Sequence, residues 1–245
     1  MSTNETTQTV LRFRGLPEGV ECIAPVDLGT NRNEKPFADL FLELAEPQAA
    51  RPALRLFRLS PGLARLWFSL PPYTPPGSYS GHAKIGSSNF PVAVSVDANE
   101  KLVLSPPQLN ITANASAKMT THLTLANAGN VVCEIRKAHA FGLFDVEGAE
   151  RAVGAALRDA GAKGRDKVDR LMDSFAAEHA GIVKVAIEEG SGPIAPGEVR
   201  ELRARLMFPD NMNAGRTYTG TWVFFNLSYQ IRVTAENRKE EKEPK

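Results

Sequence analysis

Apolar and polar residues alternate with a period of two along most of this chain, the mark of strands buried on one face. Val10 to Arg14 alternates and stops at Gly15-Leu16-Pro17. Val20 to Val26, Phe37 to Leu44, Leu54 to Leu59 and Leu63 to Leu70 read as further strands, with Ser60-Pro61-Gly62 as a turn between the last two. After residue 100 the same texture returns in Leu102 to Leu104, Leu109 to Ala113, Thr121 to Ala126, Val131 to Arg136, Ile182 to Ile187 and Val199 to Phe208. In the last of these Leu202, Ala204 and Leu206 share one face, while Glu201, Arg203 and Arg205 share the other. Asn127-Ala128-Gly129-Asn130 and Gly190-Ser191-Gly192-Pro193 have turn chemistry.

One stretch occurs twice. Residues 77–98 (GSYSGHAKIGSSNFPVAVSVDA) and 215–235 (GRTYTGTWVFFNLSYQIRVTA) align without a gap when Tyr79 is set on Tyr218, 139 positions on. Each copy predicts a hairpin whose second strand alternates: Phe90, Val92, Val94 and Val96 in the first, Tyr229, Ile231, Val233 and Ala235 in the second. The repeat predicts two related domains, 1–99 and 100–237, followed by a charged tail at 238–245. The second copy is richer in large rings, with Trp222, Phe224, Phe225 and Tyr229 against Ala83, Ile85, Gly86 and Phe90.

The alternation fails over residues 145–180, where a helical period takes over. Ala149, Val153, Ala156 and Leu157 predict a helix from about Glu147 to Asp159, and Val168, Leu171, Met172 and Phe175 a second from about Asp166 to Ala180. Gly161 to Gly164 breaks the two, and Gly181 reads as the C-terminal stop. The expected fold class is therefore mainly β, with a helical hairpin inserted in the second domain.

Composition narrows the function more than it defines it. The chain has 245 residues, 42% hydrophobic and 23% charged, with a net charge of +1. So balanced a charge provides no electrostatic footprint for nucleic acid. No stretch approaches the 18 or more apolar residues of a membrane helix, so membrane insertion is not expected. The polar start MSTNETTQ lacks the basic-then-apolar pattern of a signal peptide, which predicts a cytoplasmic protein, or a periplasmic or extracellular one if a leader has been removed. Cys22 and Cys133, one per domain, make no disulfide framework.

The run Leu104-Ser-Pro-Pro, Leu109-Asn-Ile-Thr-Ala and Leu123-Thr-Leu-Ala-Asn127-Ala-Gly-Asn130 resembles the opening of bacterial immunoglobulin-like domains. Pro75-Pro76-Gly77-Ser-Tyr79-Ser-Gly81 and Ala214-Gly215-Arg-Thr-Tyr218-Thr-Gly220 are similar to the E–F corner and F strand of such sandwiches. The resemblance implies two tandem immunoglobulin-like β-sandwiches, with Tyr79 and Tyr218 as structural corners whose hydroxyls bond nearby backbone. Gly81 and Gly220 stand where antibody-type domains have a cysteine, so the inter-sheet disulfide is absent. It also implies a binding or scaffolding role.

No catalytic, cofactor or metal constellation stands out. His82, His122, His139 and His179 are not at metal-ligand spacing from one another or from a cysteine. His179 is placed near the end of the second expected helix. Gly161-Ala-Lys-Gly164 lacks the Gly-Lys-[Ser/Thr] ending of a phosphate loop, and Gly190-Ser-Gly has no nucleophile-elbow flanks. Arg55, Arg58 and Arg65 with Phe57 and Trp67 read as a solvated strand face. The expected function is a non-catalytic protein-binding or scaffold subunit of a larger assembly, using strand edges and the insertion. A periplasmic chaperone-like protein and an enzyme are the competing expectations. The residues nominated for partner contact are Phe141, Leu143, Phe144, Val168, Leu171, Met172 and Phe175.

Overall fold

The computed structural model describes residues 9–25, 38–43, 52–158, 165–166, 168–169, 172–173 and 178–236. The polar start at 1–8 and the tail at 238–245 lie outside them, as do parts of the expected strands Val20 to Val26 and Phe37 to Leu44. The chain divides into two compact units, Met1–Glu100 with Ala128–Val131, and Lys101–Asn127 with Val132–Lys245.

Among its described residues the elements of the first unit are strands: β1 (Leu11–Leu16), β2 (Gly19–Ala24), β3 (Ala38–Glu43), β4 (Arg55–Ser60), β5 (Leu63–Phe68), β6 (Gly77–Ile85) and β7 (Ser88–Val96). They form one sheet in the order β3-β6-β7-β1-β2-β5-β4. Ala53, just before β4, bridges Asp39 of β3, so the two ends of the sheet meet. That curvature lets a single sheet enclose its own core. Leu11, Phe13, Val20, Leu40, Leu66, Phe68, Val92 and Val94 are buried together. Phe13 and Phe68 meet edge to face at 5.0 Å. Full burial of a side chain of this size contributes about 1.5–3 kcal/mol. Cys22 is part of this core, and burial pushes its thiol pKa up.

The second unit holds β8 (Leu102–Ser105), β9 (Gln108–Ala113), β10 (Lys118–Asn127), β11 (Cys133–Ile135), β12 (Ala138–Asp145), α1 (Gly148–Arg158), β13 (His179–Glu189), β14 (Gly192–Ile194), β15 (Val199–Met207), β16 (Thr217–Phe224) and β17 (Leu227–Ala235). Eight strands make a sheet in the order β8-β10-β15-β13-β12-β16-β17-β9, and β11 pairs with β14 separately. β8 at one end also packs near β17, the last strand but one at the other, so this sheet too turns back on itself.

The sequence repeat is a repeat of register. Tyr79 lies opposite Val94 and Gly81 opposite Val92; Tyr218 lies opposite Val233 and Gly220 opposite Ile231. Each closing strand also pairs parallel with an early strand of its unit, the first (β1) in one and the second (β9) in the other, Phe13 beside Val94 and Ile111 beside Val233. Phe13 and Ile111 are 98 positions apart, whereas the hairpins are 139 apart, so the second copy holds 41 more residues between these points. Much of the excess is the excursion between β12 and β13.

That excursion differs from the sequence reading in three ways. The strand pattern continues past residue 137 as β12, which carries Ala140 to Phe144. The first expected helix is present as α1, but Val153, placed on its apolar stripe, is 40% exposed, while Ala152 is buried. His179 and Ala180 open β13 instead of closing a helix, and Gly181 is in that strand at φ +113°. Of the second expected helix, residues 166, 168, 169, 172 and 173 have helical backbone, and 167, 170, 171 and 174–177 lie outside the described residues. Gly192 and Pro193 also belong to β14, where a turn was expected.

Candidate functional site

Alternation along β12 decides which nominated side chains can meet a partner. Phe141 and Leu143 point into the core, 5% and 0% exposed. Their nomination is corrected: they anchor the strand and present nothing outward. Phe144 faces the other way and is 55% exposed, edge-on to the His179 ring at 4.8 Å. Val168 and Met172 are exposed as well; Leu171 and Phe175 lie outside the described residues. Sequence reading missed Ile182 and Val146, which are exposed beside Phe144. Ile182 pairs with Gly142, two residues along from Phe144, so the two apolar side chains are diagonal neighbours on one face. The signal was available: Ile182 heads an alternating run, and an outward isoleucine there breaks its polar face.

Where the excursion leaves and rejoins the sheet, charged groups hold it. Asp145, the last residue of β12, is buried, and its Oδ1 accepts from the Glu147 amide at 3.0 Å. Its Oδ2 takes ion pairs from Arg151 of α1 and from Arg216, the latter at 3.1 Å. Arg151 and Arg216 also reach Glu178 Oε2, at 3.1 and 2.9 Å. Burial works against the Asp145 charge, but the hydrogen bonds from Arg151 and the Glu147 amide, with the two guanidinium charges, hold its carboxyl below the usual range. The same pairs push Arg151 upward. Backbone bonds from Asp145 to Glu178 and from Val146 to Thr217 close the base.

The repeat's two tyrosine corners carry the expected bonds. The Tyr79 hydroxyl donates to the Pro75 carbonyl at 2.7 Å, and the Tyr218 hydroxyl accepts from the Asn213 amide at 2.8 Å. Gly81 and Gly220 stand at matched close approaches. A Cβ would lie 2.1 Å from the Phe41 carbonyl oxygen at Gly81, and 2.7 Å from that of Gly142 at Gly220.

The ring-rich second hairpin is organised around its tip. Trp222, Phe224 and Tyr229 are buried, whereas Phe225 is 46% exposed. Beside it lies a hollow of ≈ 380 Å³ lined by Glu134, Ile135, Arg136, His139, Val223, Phe224 and Phe225. His139 packs on Trp222 and Phe224, at 5.5 and 4.8 Å between centroids. Its Nε2 lies 2.9 Å from the Arg136 carbonyl oxygen. A carbonyl only accepts, so Nε2 carries the proton and Nδ1 has a bare lone pair. Burial pushes the His139 pKa down, which keeps the ring neutral at neutral pH.

Elsewhere the histidines are accounted for by their neighbours: His82 stacks on Phe41, and His122 meets Glu201 at 3.0 Å. Among the described residues no group of three or more His, Cys, Asp or Glu could hold a metal ion. No helix among them is long and apolar enough to cross a membrane.

No protein-family model and no curated protein matches the chain. Solved structures similar to it include immunoglobulin-domain proteins. An I-band fragment of titin is 10% identical over 94% of this chain, which spans 62% of that fragment, at a TM-score of 0.35. A chain in the structure of Dpr11 IG1 bound to DIP-gamma IG+IG2 is 10% identical, covering 94% of this chain and 97% of that one, at a TM-score of 0.32. A protein of unknown function from Porphyromonas gingivalis W83 is 14% identical over 94% and 98% of the two chains, at 0.29. Likeness at such TM-scores assigns no role to any residue here; the fold class stands on the strand pairing.

Proposed function

We propose that this chain is a non-catalytic protein-binding subunit of a larger assembly, built as two tandem immunoglobulin-like β-sandwiches, the second with a helical hairpin inserted at about 145–180. Each curled sheet with a one-sided core is consistent with the sandwich reading. The partner docks at the base of the insertion, and the observation that carries this is the exposed apolar group Phe144, Val146 and Ile182. The outer face next to it carries Lys184, Arg205, Thr219 and Thr221, and the exposed Val199 and Val223 stand singly at strand ends. An apolar group in such a setting, next to a segment long enough to be more than a connection, is where a protein surface favours contact. Val168 and Met172 add exposed apolar side chains on the insertion itself.

The test is a double change, Phe144→Asp with Ile182→Asp, in tagged protein recovered from its own cells. Both side chains point outward, so the circular dichroism of the sheet is expected to stay as it is while stoichiometric partners are lost. Retention of every partner by the folded variant contradicts the docking site.

A further inference from the structure

The hollow at the tip of the second hairpin shares no residue with the docking surface, and its chemistry differs. Phe225 sits at φ +50°, in the left-handed region that costs a residue with a side chain about 1–2 kcal/mol. The matching position of the first hairpin, Gly86, has φ +59°, and glycine is the ordinary residue at the first position of such a two-residue turn. The second copy therefore keeps a strained aromatic where the fold asks only for glycine, and backbone strain of this kind gathers at binding sites.

Glu134 and Arg136 supply the polarity. Glu134 lies in β11 and Arg136 just past its end, and both side chains are exposed. Both line the hollow, yet among the described residues neither side chain has an ion-pair partner. One carboxylate, one guanidinium, the bare Nδ1 of His139 and the rings of Phe224 and Phe225 thus surround a volume of ≈ 380 Å³, within the range of small-molecule sites.

We propose that this hollow binds a zwitterionic α-amino acid with a large apolar side chain. The ammonium group donates to the Glu134 carboxylate and to His139 Nδ1. The carboxylate accepts from the Arg136 guanidinium, and the side chain packs against Phe224 and Phe225.

Calorimetric titration of the full chain with L-phenylalanine, 3-phenylpropionate and 2-phenylethylamine tests this. Saturable binding of phenylalanine is expected, with each singly charged analogue weaker by about tenfold or more, the scale of one lost charged hydrogen bond. Glu134→Gln should remove the advantage over 3-phenylpropionate, and Arg136→Gln the advantage over 2-phenylethylamine. Phe225→Gly should bind more weakly while unfolding at a higher urea concentration, a combination that a purely structural phenylalanine would not produce. The proposal is overturned if no saturable binding is seen. It is equally overturned if the analogues bind as well as the zwitterion, or if Glu134→Gln and Arg136→Gln leave affinity unchanged.

Discussion

Gly86 and Phe225 occupy one turn position in the two hairpins, and the difference between them is measurable as stability. Relief of the left-handed phenylalanine should make Phe225→Gly more stable by about 1 kcal/mol, less the exposed ring's packing, read from the urea midpoint. The reverse change at Gly86 should lose a similar amount. At the corner, Tyr218→Phe leaves the Asn213 amide without its acceptor and should cost about 1–3 kcal/mol. Tyr79 is less buried than Tyr218, so Tyr79→Phe should cost less. The corner tyrosines were legible because a Tyr-[Ser/Thr]-Gly run occurring twice in register can be seen in the sequence itself. The role of Gly81 and Gly220 was not, since what excludes a side chain there is a carbonyl from a strand remote in sequence.

The excursion between β12 and β13 is where local pattern and outcome part. Ala140-Phe141-Gly142-Leu143-Phe144 is apolar at almost every position, because Phe141 and Leu143 fill the core while Phe144 serves the outer face. A strand apolar on both faces has no period of two, and periodicity alone cannot tell it from a helical segment. His179 is extended because it pairs with Phe144, a partner 35 positions away that no local preference records. The charged base was equally hidden: Asp145, Arg151, Glu178 and Arg216 come from four places in the chain.

Two outcomes follow for this element. Asp145 has its folded pKa held below the ordinary value, so its contribution is complete above about pH 4 and is lost as pH falls through the lower, folded value. Asp145→Asn should thus be less stable than the native chain at pH 6 by about 1–3 kcal/mol, read from urea unfolding, and the gap should close toward pH 2. A gap that is constant with pH would refute the assignment. Replacing residues 152–175 by a short Gly-Ser link should leave the β-sheet signal intact, because β12 and β13 pair directly along their length. Loss of the sheet on that deletion would mean that the excursion is part of the core.

At the scale of the whole molecule, two units repeat one plan: an early strand, a closing hairpin in identical register, and a parallel pairing that joins them. The hairpins were legible at once, since both halves of each are contiguous. The parallel pairing of β1 with β7, and of β9 with β17, was not, because no short-range pattern encodes a partner that distant. The first unit keeps glycine at its hairpin tip and has no helix among its described residues. Both the excursion and the strained phenylalanine belong to the second unit, and so do both proposed binding surfaces. Phe144 decides the first of them. Benzoylphenylalanine placed at position 144, and at the outward position of Thr221 on β16 as a control, can be photolysed in the protein's own cells. The account predicts a discrete heavier adduct from position 144 and none from position 221. An unreactive position 144, or the same adducts from both positions, would contradict it.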